Sequence, residues 1–211
     1  MAEGLLGQIE ACKRDEIATR FDGVAIDALR RLAQPTSRSL SNTLVQPGSR
    51  FVLEVKKASP SAGILRSGAD AAKLAQGYAG VADALSVLTD RRYFGGSIDD
   101  LKAARRHFEG PILAKDFFID PRQVVEARIA GADALLVMLS LVDDPTARKL
   151  IAEARRFGHF LEGACHEAVD VDCSGIAGVL GRAAAGREID REESEECFAS
   201  EHAENLRPPE K

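Results

Sequence analysis

Glu54 and Lys56 stand two residues apart at the end of the apolar run Phe51-Val-Leu-Glu-Val-Lys-Lys57, and Lys115 closes a second run, Pro111-Ile-Leu-Ala-Lys115. Side chains alternate along a strand, so Phe51, Leu53 and Val55 share one face while Val52, Glu54 and Lys56 share the other. A strand covered by helices buries both faces, and a carboxylate and an ammonium are costly there unless they pair or meet a ligand. The pair therefore reads as a site; a solvated strand end is the alternative. Lys115 is followed by Asp116-Phe117-Phe118. An ammonium partly desolvated beside aromatic rings becomes a stronger acid, which makes this lysine a candidate proton donor. An exposed lysine paired with Asp116 is the competing reading. Tyr93-Phe94-Gly95-Gly96-Ser97 offers aromatics to wall a pocket for a planar ring, or to fill core under a glycine turn. Ser59-Pro60-Ser61 turns the chain just after the first run.

Those side chains need a scaffold, and the chain supplies one by alternation. Residues 4–20 and 24–33 carry apolar positions at helical spacing (Leu5, Ile9 and Ile17; Ile26, Leu29 and Leu32), and a loop rich in Pro, Ser and Asn follows over 35–50. Strands are predicted at 51–57, 84–89, 111–115 and 134–139, with helices between and after them at 70–79, 97–107, 121–130 and 145–157. Two of these helices open on Asp-Pro, where proline suits the first turn. An internal echo marks the repeat: Gly80-Val-Ala-Asp-Ala-Leu85 returns as Gly131-Ala-Asp-Ala-Leu135, each closing an Ala-rich helix and opening a strand. Repeated βα units with nearly all-apolar strands predict an α/β fold with a parallel sheet under helices, whose sites lie at the carboxyl ends of the strands. No GxGxxG or Walker pattern follows the first strand, which argues against dinucleotide and nucleoside triphosphate binding.

Composition narrows the classes further. The 211 residues carry a net charge of −5 and are 45% hydrophobic, enough for a sizeable core. No apolar run approaches the roughly 18 residues of a bilayer helix, and the amino-terminal residues lack a secretory pattern, so a cytoplasmic protein without membrane contact is expected. An acidic total without a basic stripe argues against nucleic acid as a partner. Cys12, Cys165, Cys173 and Cys197 form no CxxC pair, and His107, His159, His166 and His202 show no ligand spacing, so no metal site is predicted. The charge is uneven: residues 159–211 sum to −8 and residues 1–158 to +3. The chain therefore divides into a helical extension (1–50), a βα region (51–158) and a divergent acidic tail (159–211) that reads as partly disordered, above all from Arg187.

Three stretches together resemble indole-3-glycerol phosphate synthase: Glu54-Val-Lys-Lys-Ala-Ser-Pro-Ser61, Leu85-Ser-Val-Leu-Thr-Asp90 with Tyr93-Phe-Gly-Gly-Ser97, and Pro111-Ile-Leu-Ala-Lys-Asp-Phe-Phe-Ile-Asp-Pro121. The likeness runs from about residue 4 to Gly158. It implies a (β/α)8 barrel with an amino-terminal helical extension, of which the first four βα units are recognisable here. It also implies a small phosphorylated substrate, an anthranilate joined to an opened deoxyribulose phosphate, whose ring closure releases carbon dioxide and then water. No cofactor is implied. By the same resemblance Lys115 is the general acid, Lys56 the strand-one lysine that contacts substrate, and Glu54 its charged neighbour. Ser59 lies beside the ligand, and Leu88, Phe94 and Phe117 hold the anthranilate ring.

The resemblance stops after the fourth unit. The family's fifth-strand glutamate base has no counterpart in register, since Glu162 stands at the wrong spacing, and the later phosphate-binding loops are not recognisable. A shifted reading frame after Gly158 would produce such a break, which the other two frames of the coding DNA test. Four units leave open strand edges, so self-association or a partner along those edges is expected, together with reduced indole-forming turnover. A catalytically impaired remnant and another phosphosugar barrel, such as phosphoribosylanthranilate isomerase, are the alternative readings.

Overall fold

The computed structural model describes residues 4–60, 63–65, 68–158 and 161–165, the last five as backbone. Three helices come first: α1 (Gly4–Arg20), α2 (Ile26–Arg30) and α3 (Leu40–Leu44). Strand β1 (Val52–Val55) leads into a small hairpin, β2 (Ala58–Ser59) and β3 (Gly63–Ile64). Then follow α4 (Ala71–Tyr78), β4 (Ala84–Leu88), α5 (Arg91–Phe94), α6 (Ile98–Arg105), β5 (Ile112–Lys115), α7 (Pro121–Ile129), β6 (Ala134–Met138), α8 (Asp144–Arg155) and β7 (Leu161–Cys165). The sheet runs β1-β4-β5-β6-β7 with every pairing parallel. This is the predicted βα alternation, and β7 adds a fifth parallel strand beside β6. The rest of the acidic tail lies outside the described residues.

The first strand is shorter than its apolar run, because Ala58 and Ser59 turn back to pair with Gly63 and Ile64. Inside the predicted loop, Ser39 accepts a hydrogen bond from the Asn42 amide and starts α3. Asp90 and Ser97 cap α5 and α6 in the same way. The Asp120-Pro121 start of α7 is a full capping box, completed by Gln123.

The period of two separates the sheet's faces. Leu53, Val55, Leu85, Val87, Ile112, Ala114, Leu135 and Val137 pack outward against the helices, joining Ala75, Leu101, Val124 and Leu150. On the inner face Val52, Ala84, Leu113 and Ala134 gather around Leu40 of α3, which plugs the amino-terminal end. Two residues further along each strand, the same inner face carries Glu54, Ser86 and Lys115.

The sequence echo has a physical counterpart. Gly80 and Gly131 both adopt positive φ, +87° and +104°, and end their helices. The aspartate three or two residues later reaches sideways to the start of the preceding strand: Asp83 accepts the Phe51 amide at 2.8 Å, and Asp133 accepts the Ile112 amide at 3.1 Å. Asp133 is fully buried and also holds Thr36 Oγ1 at 2.6 Å, Arg105 at 2.7 Å and Arg128 at 3.0 Å.

The amino-terminal helices clasp this unit from one end to the other. α1 crosses the carboxyl ends of the strands, where Ile9 packs with Phe117, Met138 and Leu141. The Phe21 ring meets the guanidinium groups of Arg20 and Arg122, each 5.1 Å from its centre. Arg30 of α2 grips buried Glu153 of α8 through two bonds of 2.8 and 2.5 Å. Thr36 then reaches Asp133 at the opposite end of the sheet.

Arg20 also pairs with Glu126 of α7 at 3.1 Å. Burial raises the Glu126 carboxyl above its ordinary value of 4.5, and Arg20 does not offset it because Asp116 and Glu16 add negative charge nearby. A raised carboxyl favours folding while protonated, and that stability is lost as pH rises from 4.5 through the folded value. Glu126→Gln is accordingly expected to raise the melting temperature at pH 7, with the gain shrinking toward pH 4. A lower melting temperature at pH 7 would contradict this sign.

Candidate active site

Glu54, Lys56 and Lys115 converge. The Glu54 carboxylate accepts from Lys56 Nζ at 2.7 Å through one oxygen and from Lys115 Nζ at 3.0 Å through the other. Two strands produce this meeting. Glu54 is two residues along the inner face from Val52, Lys115 is two from Leu113, and both stand near the carboxyl ends of their strands. The two ammonium groups thus lie on one side of the sheet, around one carboxylate. Side-chain exposures of 20% for Glu54, 29% for Lys56 and 19% for Lys115 leave the trio half-buried and open to a ligand.

Burial alone would push the Glu54 carboxyl up, but the hydrogen bond from Lys56 and the charge of Lys115 outweigh it and hold the group below the ordinary 4.5. Glu54 is therefore ionised at neutral pH and accepts from both lysines. A depressed carboxyl favours folding above its unfolded value and loses that contribution as pH falls through the folded one.

Leu88 is the register partner of Lys115 and is buried beside it. Phe94 and Phe117 approach with ring centres 6.1 Å apart at a 39° tilt, inside the apolar cluster that Ile9 covers. Ser59 is buried on β2, at the same end of the sheet. The turn after α5 lies against that hairpin: a Cβ added at Gly95 would stand 3.6 Å from the Cβ atoms of Lys57 and Ala58. Gly96 approaches the strand end more closely still, since a Cβ there would fall 2.1 Å from the Leu88 carbonyl oxygen. All seven residues singled out in the sequence therefore cluster at or beside the carboxyl ends of β1, β4 and β5. Glu162 stands on β7, and its side chain lies outside the described residues.

Three features were not singled out. Ser86, the register partner of Glu54, is buried, and its Oγ has no hydrogen-bond partner among the described residues. Lys57 fastens the hairpin to α6 through Asp100 at 2.6 Å. Lys13 of α1 lies 2.7 Å from Asp90 and 2.9 Å from Asp116, the residues that follow the ends of β4 and β5. A sequence signal for Lys13 existed: it interrupts the row Ile9, Ile17, Phe21, whose members four residues apart are all buried. Among the described residues no three His, Cys, Asp or Glu side chains are grouped as metal ligands, and no helix is long and apolar enough to cross a membrane.

A family model described as indole-3-glycerol phosphate synthase matches residues 6–162. The chain belongs to the indole-3-glycerol phosphate synthase family. This is a (β/α)8-barrel family, and the five parallel strands with their helices are the corresponding part of such a barrel. An indole-3-glycerol phosphate synthase of Verminephrobacter eiseniae is 43% identical over 162 residues, covering 72% of this chain and 61% of the relative. One from a Nocardioides species is 51% identical over 112 residues, covering 53% and 43%. The tryptophan biosynthesis protein TrpCF of Salmonella typhi is 41% identical over 150 residues, covering 71% of this chain and 33% of the relative. The chain thus spans less than two thirds of each of these three relatives. A synthase of Mycolicibacterium gilvum aligns over 194 residues at 36% identity, covering 88% of this chain and 70% of its own.

Proposed function

We propose that the chain acts in tryptophan biosynthesis as a cytoplasmic carbon-carbon lyase, closing the indole ring of 1-(2-carboxyphenylamino)-1-deoxyribulose 5-phosphate. The observation that carries this reading is the single carboxylate, Glu54, shared by Lys56 and Lys115 at the carboxyl ends of two strands. A bond forms between the aromatic carbon that bears the carboxylate and the ketone carbon, while Lys115 gives a proton to the ketone oxygen. Loss of carbon dioxide returns its electron pair to the ring. The new hydroxyl then takes up a proton and departs as water while the neighbouring nitrogen-linked methylene gives up a proton, which forms the indole double bond.

Glu54 keeps the two ammonium groups together until an anionic substrate competes for them, and Lys56 adds positive charge where the substrate carboxylate and oxygen arrive. Leu88, Phe94 and Phe117 hold the anthranilate ring, and Ser59 stands at the rim. The same proposal includes association of the chain through β1 and β7, the sheet edges among the described residues.

Two measurements test it: the synthetic substrate titrated by its anthranilate fluorescence, and indole-3-glycerol phosphate followed by its own emission. Binding with turnover that depends on Lys115 is the expected result; a chain that does neither overturns the proposal. The end of the family match at residue 162 favours a second reading, a chain that holds the anthranilate end without completing the reaction. Binding with no product would select that reading.

A further inference from the structure

We propose that Lys13 is a positioning residue for the proton donor and the ring-holding aromatics, a role that rests on the reading of Lys115 as the acid. Lys13 is 2% exposed, yet three carboxylates surround its ammonium: Asp90 at 2.7 Å, Glu16 at 2.8 Å and Asp116 at 2.9 Å. Burial alone would depress this lysine, but Asp116 and Asp90 outweigh it and hold it charged above its ordinary 10.5.

Both aspartates are working parts of the mouth. Asp90 accepts the Tyr93 amide at 2.7 Å, which starts the helix carrying Phe94, and its carbonyl accepts the Gly96 amide at 2.8 Å. Asp116 accepts Thr89 Oγ1 and the Phe117 amide, both at 2.7 Å. The Thr89 amide in turn donates to the Lys115 carbonyl at 3.1 Å. These bonds form a closed brace across the ends of β4 and β5, and Lys13 is the cation at its centre.

Without that cation, Asp90 and Asp116 lie near each other as buried carboxylates, with Glu16 and Glu126 adding to the field and Arg20 and Lys102 placed against it. Two carboxylates that have lost a shared cation repel, and the loops that carry them move apart. The segments that relax are 89–94 and 115–117, which aim Lys115 and bring Phe94 to Phe117. A helix outside the barrel units thus sets the geometry of the acid.

The test compares Lys13→Met, which keeps length and removes charge, with Lys13→Arg, which keeps the charge, and with Lys13→Met/Asp116→Asn, which removes one of the carboxylates left unpaired. Amide hydrogen exchange is read first because it needs no ligand. In Lys13→Met the Tyr93 and Phe117 amides should exchange roughly tenfold faster while Leu85 and Ile112 keep their protection. Lys13→Arg and the double variant should regain part of that difference. In the same variants, affinity for the synthetic anthranilate phosphate should fall and recover in step.

Unchanged exchange at Tyr93 and Phe117 would overturn the proposal. So would uniform loss across the sheet that arginine does not relieve, or local loosening with undiminished affinity. Failure of the parent chain to bind the substrate would count against the proposed function, whereas the exchange comparison judges the brace by itself.

Discussion

Lys115→Met will reduce formation of the indole product by about two to four orders of magnitude, the usual span for removing a positioned proton donor. Methionine matches the length and apolar stem of the lysine, so the change isolates the proton and its charge. The parent's melting temperature should be nearly kept. Lys115 is only part-buried, and Glu54 retains Lys56 at 2.7 Å when the second ammonium is gone. Lys56→Met should cost less in turnover, since it leaves the donor in place, and should act more strongly on substrate affinity. Equal turnover in Lys115→Met and the parent, measured by product fluorescence, would move the acid elsewhere in the site.

Asp133→Ala will destabilise the chain by about 3–5 kcal/mol, the range for breaking a buried charged pair from one side. Asp133 is fully buried and is the shared acceptor for Thr36, Arg105, Arg128 and the Ile112 amide. Removing it leaves guanidinium groups without their carboxylate and a strand amide without its acceptor. Urea unfolding followed by circular dichroism gives the number, and a loss under about 1 kcal/mol would show that the surrounding groups find other partners. Asp83 makes the equivalent strand contact in the first copy of the repeat, but near the surface and with Arg50 for company. Asp83→Ala should therefore cost about 1 kcal/mol or less.

Much of this architecture is legible in the chain because it rests on periodicities. The apolar runs around Leu53, Leu85, Leu113 and Leu135 are long enough to mark buried strands, and the Gly-Ala-Asp echo marks where helices stop. The meeting of Lys56 with Lys115 was also readable, since parallel strands bring their carboxyl ends to one rim. Shorter elements carry no such signal. Five residues of α3 are little more than one turn, and the two-residue strands of the hairpin have no alternation to detect. For Lys13 the sequence shows a place in a buried row but not the reason a lysine fits there, since Asp90 and Asp116 come from the loops after β4 and β5, distant in the chain. For Phe94 the sequence leaves core and pocket wall open, and it packs against Phe117 within the apolar cluster beneath Ile9.

The sideways reach of Asp83 and Asp133 bears on how the sheet can be built. Neighbours in the sheet are also successive in the chain order of the barrel strands. In both copies the carboxylate at the threshold of the incoming strand takes hold of the strand laid down before it. Assembly can thus proceed like courses of brick, each layer keyed to the last by a side chain it carries itself, with only short stretches of polypeptide to close at every step.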